Sequence, residues 1–198
     1  TGIITISDFR QKHIAAGAEG APLAVYGDYL LFSKKDEDRI LLNIGGIANF
    51  TRLKGNMKTN EIFSTDTGPG NTLMDALIQL HYPGKFFDDD ATIAKKGHIN
   101  ENLLMALKED AFFKTAFPKT TGPELFNLDF LNSAIERSGN SAMKMEDIMS
   151  TLNKFSADTI AEAIKACINN TKGIQIICSG GGIYNSLLME QLKLQLNN

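Results

Sequence analysis

The sequence is poor in cysteine and histidine. Its two cysteines, Cys167 and Cys178, have neither a metal-ligand nor a redox spacing and read as reduced thiols of a cytoplasmic protein. Its three histidines, His13, His81 and His98, lie far apart, and none has a second ligand three or four residues on, so no zinc site is expected. No apolar run approaches the length of a membrane span, and no signal-peptide pattern precedes the first polar residues, so no membrane partner is expected. Basic residues are scattered and the net charge is −3, which argues against a nucleic-acid surface. No G-x-x-x-x-G-K-[ST] occurs, and that excludes a P-loop. Internal repeats and low-complexity segments are absent as well.

What is present suits a globular chain. Hydrophobic residues make up 43% and charged residues 22% of 198 residues, enough for one substantial domain or for one domain and part of another. The chain opens inside an apolar run, "TGIITI", and closes at the end of a helical pattern. It is therefore expected to be a piece of a longer protein.

Residues 1–7 alternate enough to predict a strand, after which the chain turns through Gly17, Gly20 and Pro22. The charge run "KKDEDR" at 34–39 reads as a solvated loop and a candidate subdomain boundary. Apolar runs at 40–44, 47–53 and 61–64 predict three consecutive strands, the first two a hairpin kinked at Gly45-Gly46. A helix is predicted from Leu73 to Tyr82, closed by Pro83-Gly84. Asp88 to Asp90 look like a helix N-terminus, where carboxylates satisfy backbone N–H groups. Helices follow near 101–108 and 127–137, and the longest spans about 145–169, with Leu152, Phe155, Ile160 and Ile164 on one face. A buried strand, a triple-glycine turn and a helix complete the chain. The fold class is α/β, with a mixed sheet.

Three turns compete for chemistry. "NIGGIAN" (43–49) reads either as a bulge or as a place where backbone N–H groups approach a ligand. "CSGGGIYN" (178–185) opens a helix, and is either a structural turn or a seat for an anion or a ribose-phosphate edge. In "TDTGPGN" (65–71), Asp66 stands at a predicted strand end with no Lys or Arg within ten residues except Lys58. It is either the acceptor of an Asx-turn or a general base toward water or a hydroxyl. Gly68 and Gly70 would let a substrate come close, Pro69 would stiffen the loop, and Asn71 would cap the next helix. Two glycine turns and an acidic turn at the strand ends of one small sheet suit a nucleotide on one side and an acceptor on the other.

At these residues the chain resembles the anhydro-N-acetylmuramic acid kinase family, part of the actin/sugar-kinase/Hsp70-like ATPase superfamily. The similar segments run in order: "SDFR", "AAGAEGAPL", "LNIGGIAN", "DTGPGN", "FDDDATIAKKG", "PKTTGPELFN" and "CSGGGIYN". The resemblance implies a ribonuclease H-like/actin-like ATPase lobe. It also implies opening of the 1,6-anhydro bridge with water and phosphorylation of O6, using ATP and Mg²⁺, in cell-wall recycling. Asp66 matches the catalytic base. Gly45 and Gly46 correspond to the second phosphate loop, and Gly180, Gly181 and Gly182 to the adenosine-side turn. Asp8 and Arg10, with Gly68, Pro69 and Asn71, fall in segments near the sugar. A homodimer is also implied.

His13, Ala18 and Glu19 replace the family's usual Asp, Gly and Gln, and Pro123 stands where many relatives have Arg. These departures bear on substrate choice. The family's first phosphate loop, G-T-S-x-D-G, is absent. Residues 1–36 are thus expected to be a remnant of the first lobe with part of the sugar site, and 37–198 the second lobe. The chain alone should turn over ATP poorly or not at all. The alternatives are another sugar or acyl kinase of the superfamily, or a nucleotide-dependent binding protein without catalysis.

Overall fold

Two short helices, α1 (Phe9–Ala15) and α2 (Val25–Phe32), precede a four-stranded sheet. This computed structural model describes residues 2–5, 7–17, 24–140, 142–168 and 173–196. No strand forms among the described residues before Phe9, where Ile3 and Ile4 are 76% and 91% exposed. The alternation that predicts a strand there finds no neighbouring strand to take its backbone hydrogen bonds. The region read as a succession of turns instead contains α1 and α2. Gly20 and Pro22, with Ala18 and Glu19, lie outside the described residues.

The three apolar runs after the charged stretch form β1 (Arg39–Ile44), β2 (Ile47–Leu53) and β3 (Phe63–Pro69). The first two pair antiparallel around Gly45-Gly46, with Ile44 opposite Ala48. β3 runs further than its apolar residues suggest. It pairs with β2 through Asp66, then resumes at Gly68 opposite Ala48 after a register shift that leaves Thr67 as the extra residue. The Thr67 hydroxyl donates to the Ala48 carbonyl at 3.1 Å and pins that bulge. Asp66 therefore sits inside a strand and not at its end. Pro69 is tolerated because β3 is an edge strand.

Helices α3 (Thr72–His81), α4 (Glu101–Lys108), α5 (Ala111–Lys114), α6 (Leu128–Arg137) and α7 (Met145–Ile168) follow. β4 (Gln175–Ser179) then joins β1 in parallel, and α8 (Ser186–Leu196) closes the described chain. The strand order is β3-β2-β1-β4, a mixed sheet as the sequence predicts.

The apolar face of α7 is consumed by two cores. Ile160 and Ile164 pack with Ile40, Leu42, Ile44 and Phe50 of the sheet. Leu152 and Phe155 pack with Leu73, Leu103, Phe126 and Leu131 of the helical layer. Each such fully buried side chain contributes roughly 1.5–3 kcal/mol relative to exposure. Across the outer side of α7, Asp158 accepts from Lys108, Lys154 and Gln195, tying α4, α7 and α8 together. Both cysteines are free. Among the described residues no helix is long and apolar enough to cross a membrane.

Candidate active site

The hairpin turn between β1 and β2 lies directly on the start of α3. The Gly46 carbonyl accepts from the amides of Gly70 (2.8 Å) and Thr72 (3.1 Å), and the Gly45 carbonyl from Asn71 (2.9 Å). These carbonyls occupy amides that a helix start would otherwise leave open. The contact requires bare backbone at Gly70, where a Cβ would strike the Gly45 carbonyl, while a Cβ on Gly46 would stand 2.8 Å from the Thr72 hydroxyl and force that side chain to move. Asn71 occupies the N-cap position, but its side chain accepts no capping hydrogen bond. That corrects the expected cap. The Asn71 residue instead lines a cavity, with its amide nitrogen toward Gly181.

The triple-glycine turn reaches the same place from β4. Gly180 has φ 87°, and a Cβ there would lie 2.5 Å from the Ile44 carbonyl. Gly182 is pressed against the Ile44 side chain. A Cβ on Gly181, in contrast, would meet only the Asn71 amide nitrogen, at 3.8 Å. The glycine turns thus converge beyond the C-terminal ends of the parallel pair β1 and β4, the end where open α/β sheets form ligand crevices.

A cavity of about 360 Å³ opens there, with Asn71 and Gly181 in its wall. Tyr184 and Asn185 in its wall belong to the "CSGGGIYN" turn weighed as a ligand seat, whereas Met74, Asp75 and Phe87 carry no site assignment from the sequence. Asp75, from the first turn of α3, is pushed up to about 6 by burial. Phe87 and Tyr184 supply exposed aromatic faces at the rim. The acids at 88–90 also border the cavity, and two of them have structural work. Only short 3₁₀ turns, Asp89–Ala91 and Ala94–Lys96, stand where the sequence predicts a helix start, and Asp88 satisfies the amides of Ile93 (2.9 Å) and Ala94 (3.0 Å) at the second of them. Asp90 accepts from Lys95 at 2.8 Å, and that ammonium holds its carboxyl down at about 2.

Asp66 lies on the neighbouring edge strand and does not line this cavity. Residues 117–121 run beside it. The Asp66 amide donates to the Lys119 carbonyl (3.0 Å), the Lys119 amide donates to the Thr65 hydroxyl (3.0 Å), and the Thr121 amide donates to Asp66 Oδ2 (2.8 Å). One carboxylate oxygen is thereby oriented by backbone. Gly68 and Pro69 are buried; Gly68 has φ 140°, and a Cβ there would meet the Phe113 ring at 3.1 Å. Asp8 and Arg10 belong to the exposed start of α1, where Asp8 has φ 64° and makes no side-chain cap. They line neither the 360 Å³ cavity nor the second one, near Arg52 and Cys167. His13 is on α1, and Pro123 is exposed just past Thr121.

Lys119 was overlooked as a feature of its own. It is 9% exposed, donates to the Phe112 carbonyl at 2.7 Å and lies over three phenylalanine rings. Burial lowers its pKa. The available signal was the phenylalanine-rich run "FFKTAFPK" around it.

Comparison with known proteins places these features in context. An anhydro-N-acetylmuramic acid kinase from Pseudoalteromonas translucida is 54% identical over 97% of this chain and 48% of its own length. Proteins with the same description from Pasteurella multocida (41% identical, 97% of this chain, 49% of theirs) and Caldanaerobacter subterraneus (35%, 99% and 50%) also match. The chain spans about half the length of these curated relatives. The family model described as anhydro-N-acetylmuramic acid kinase matches residues 1–198. With its whole length inside that match, the chain belongs to the anhydro-N-acetylmuramic acid kinase family.

Proposed function

We propose that the intact protein is an ATP-dependent kinase that hydrolyses the 1,6-anhydro bond of anhydro-N-acetylmuramic acid and phosphorylates O6, serving cell-wall recycling in the cytoplasm. The observation that carries this reading is the convergence of the turns at Gly45-Gly46, Gly70 and Gly180–Gly182 beside one cavity, with a backbone-oriented carboxylate on the adjacent strand. In this reading residues 37–198 form the second lobe of an actin-like ATPase, and residues 1–36 the remnant of the first. The working state is a homodimer.

The residues fit a nucleotide. Gly180 and Gly182 lie flush on Ile44, which leaves Gly181 as open backbone at the cavity wall. ATP, with Mg²⁺, supplies the phosphoryl group, and such transfer depends mainly on positioning and charge stabilisation. Among the described residues no cluster of three or more His, Cys, Asp or Glu could hold a metal by itself. Mg²⁺ bound largely through phosphates and water is compatible with that surface.

Asp66 acts first. Its carboxylate takes a proton from water as the water oxygen bonds to the anomeric carbon and the bond from that carbon to O6 breaks. The freed O6 becomes the phosphoryl acceptor. A positioned base of this kind contributes on the order of a hundredfold to ten-thousandfold in rate. Asp8, Arg10, Gly68, Pro69 and Asn71 are assigned to the sugar side.

The test is ATP-dependent phosphorylation of 1,6-anhydro-N-acetylmuramic acid by the intact protein, wild type beside Asp66→Asn, with nucleotide binding measured in parallel. Turnover lost in the variant with binding retained supports the assignment. Folded wild-type protein that binds ATP yet leaves this sugar untouched refutes it, and a panel of other sugars then separates another kinase from a binding protein.

A further inference from the structure

β3 is the outer strand of the sheet, so among the described residues one of its edges has no strand neighbour. Residues 117–121 cover that edge through the Asp66, Thr65, Lys119 and Thr121 hydrogen bonds. Lys119 fastens the segment. Its ammonium lies 4.2 Å from the Phe112 ring centre, 4.6 Å from Phe117 and 5.7 Å from Phe113, and donates to the Phe112 carbonyl at 2.7 Å. Among the described residues no carboxylate forms an ion pair with it, and the Cys167 thiol that it senses is itself pushed up by burial, toward its neutral form.

A buried cation without a counter-ion is a costly way to fill space. Apolar residues of similar volume usually serve packing as well or better. The ring faces and the carbonyl offset the cost, and they also confine the ammonium to one place. An alkyl side chain would fill the volume without that directional hold.

We propose that Lys119 is a positioning residue. Its caged ammonium locks residues 117–121 onto β3, and the Thr121 amide thereby holds Asp66 Oδ2 in a single orientation. The catalytic consequence rests on the reading of Asp66 as the base.

The test uses the intact protein with Lys119→Met and Lys119→Arg. It reads kcat, KM for ATP, thermal midpoint and amide hydrogen exchange across 117–121. In Lys119→Met, kcat falls on the order of tenfold to a hundredfold, the scale of a misplaced catalytic group. KM for ATP stays constant, and exchange at Thr121 accelerates. Lys119→Arg, whose guanidinium also stacks on aromatic faces, restores most of kcat.

Wild-type kcat and exchange in Lys119→Met overturn the proposal. A loss that merely follows the folded fraction and is not restored by arginine does the same. If Lys119→Met does not fold, Phe117→Leu, at a half-buried ring, decides: a thinned cage lowers kcat several-fold, and unchanged kcat and exchange overturn the idea. Should the wild type leave the sugar unphosphorylated, the reading of Asp66 fails. The clamp is then judged by exchange alone, and unchanged exchange at Thr121 in Lys119→Met overturns it.

Discussion

Ser156, midway along α7, donates its hydroxyl to the carbonyl of Gly70 at 2.9 Å, with the serine 2% exposed. The longest helix thus holds the glycine turn from behind, while Gly46 holds it from the hairpin side. Ser156→Ala strands a buried acceptor, which costs about 1–3 kcal/mol. Urea unfolding of the intact protein should show a lower midpoint with an unchanged slope. A change within about 0.5 kcal/mol would mean that the turn is held by packing alone.

The triple-glycine turn offers an internal control. A methyl on Gly182 must displace the fully buried Ile44, whereas one on Gly181 meets only the Asn71 amide nitrogen at 3.8 Å. Gly182→Ala should cost about 1–3 kcal/mol, the range of overpacked cores. Gly181→Ala should melt within a degree or two of the wild type, and its effect should appear in nucleotide titrations instead. Equal melting losses at both positions would contradict this division.

Asp75 predicts a pH dependence of its own. Burial raises its folded pKa from 3.8 to about 6, so the folded state holds the proton more tightly than the unfolded state. Its favourable contribution is complete below about 4, fades as pH rises to about 6, and becomes the cost of a half-buried charge above that. Asp75→Asn should therefore raise the melting temperature at pH 8 by the equivalent of about 1 kcal/mol, allowing for solvent screening. That gain should shrink steadily toward pH 4. Melts of both proteins across this range measure it.

Asp158 has the opposite sign. Burial pushes its carboxyl up, but the Lys108 and Lys154 ammonium groups outweigh that and hold it below the ordinary carboxylate range. Its stabilisation is present above about 4 and lost as pH falls through the lowered folded value. Asp158→Asn should destabilise at pH 7 by roughly 1–3 kcal/mol, and that penalty should shrink as pH falls through the lowered folded value. Denaturant unfolding from neutral to acid pH measures this, and a penalty that stays equal across the range would contradict the account.

Much of the scaffold was legible because it depends on local pattern. Ile40, Leu42 and Ile44 alternate as one face of a strand must, and α3, α4, α6 and α7 appear where helical spacing puts them. Asp66 stood out in the sequence as a candidate base, yet its position inside β3 was hidden, because a bulge at Thr67 depends on the partner strand. The cavity escaped for the same reason. Asp75, Phe87 and Tyr184 become neighbours only when α3, the loop before residue 89 and the turn after β4 meet. The caging of Lys119 by Phe112, Phe113 and Phe117 was near at hand in sequence. Lysine followed by threonines otherwise reads as a solvated loop.

The parallel pairing of β1 with β4 has a consequence for synthesis. Arg39 aligns with Gln175, so β1 leaves the ribosome long before the strand that will flank it. The hairpins β1-β2 and β2-β3 can assemble early, but the Ile40–Ile44 edge remains a bare backbone template until β4 has been made. Until then the nascent chain displays a sticky apolar strand, the kind of surface on which chaperones and aggregation compete.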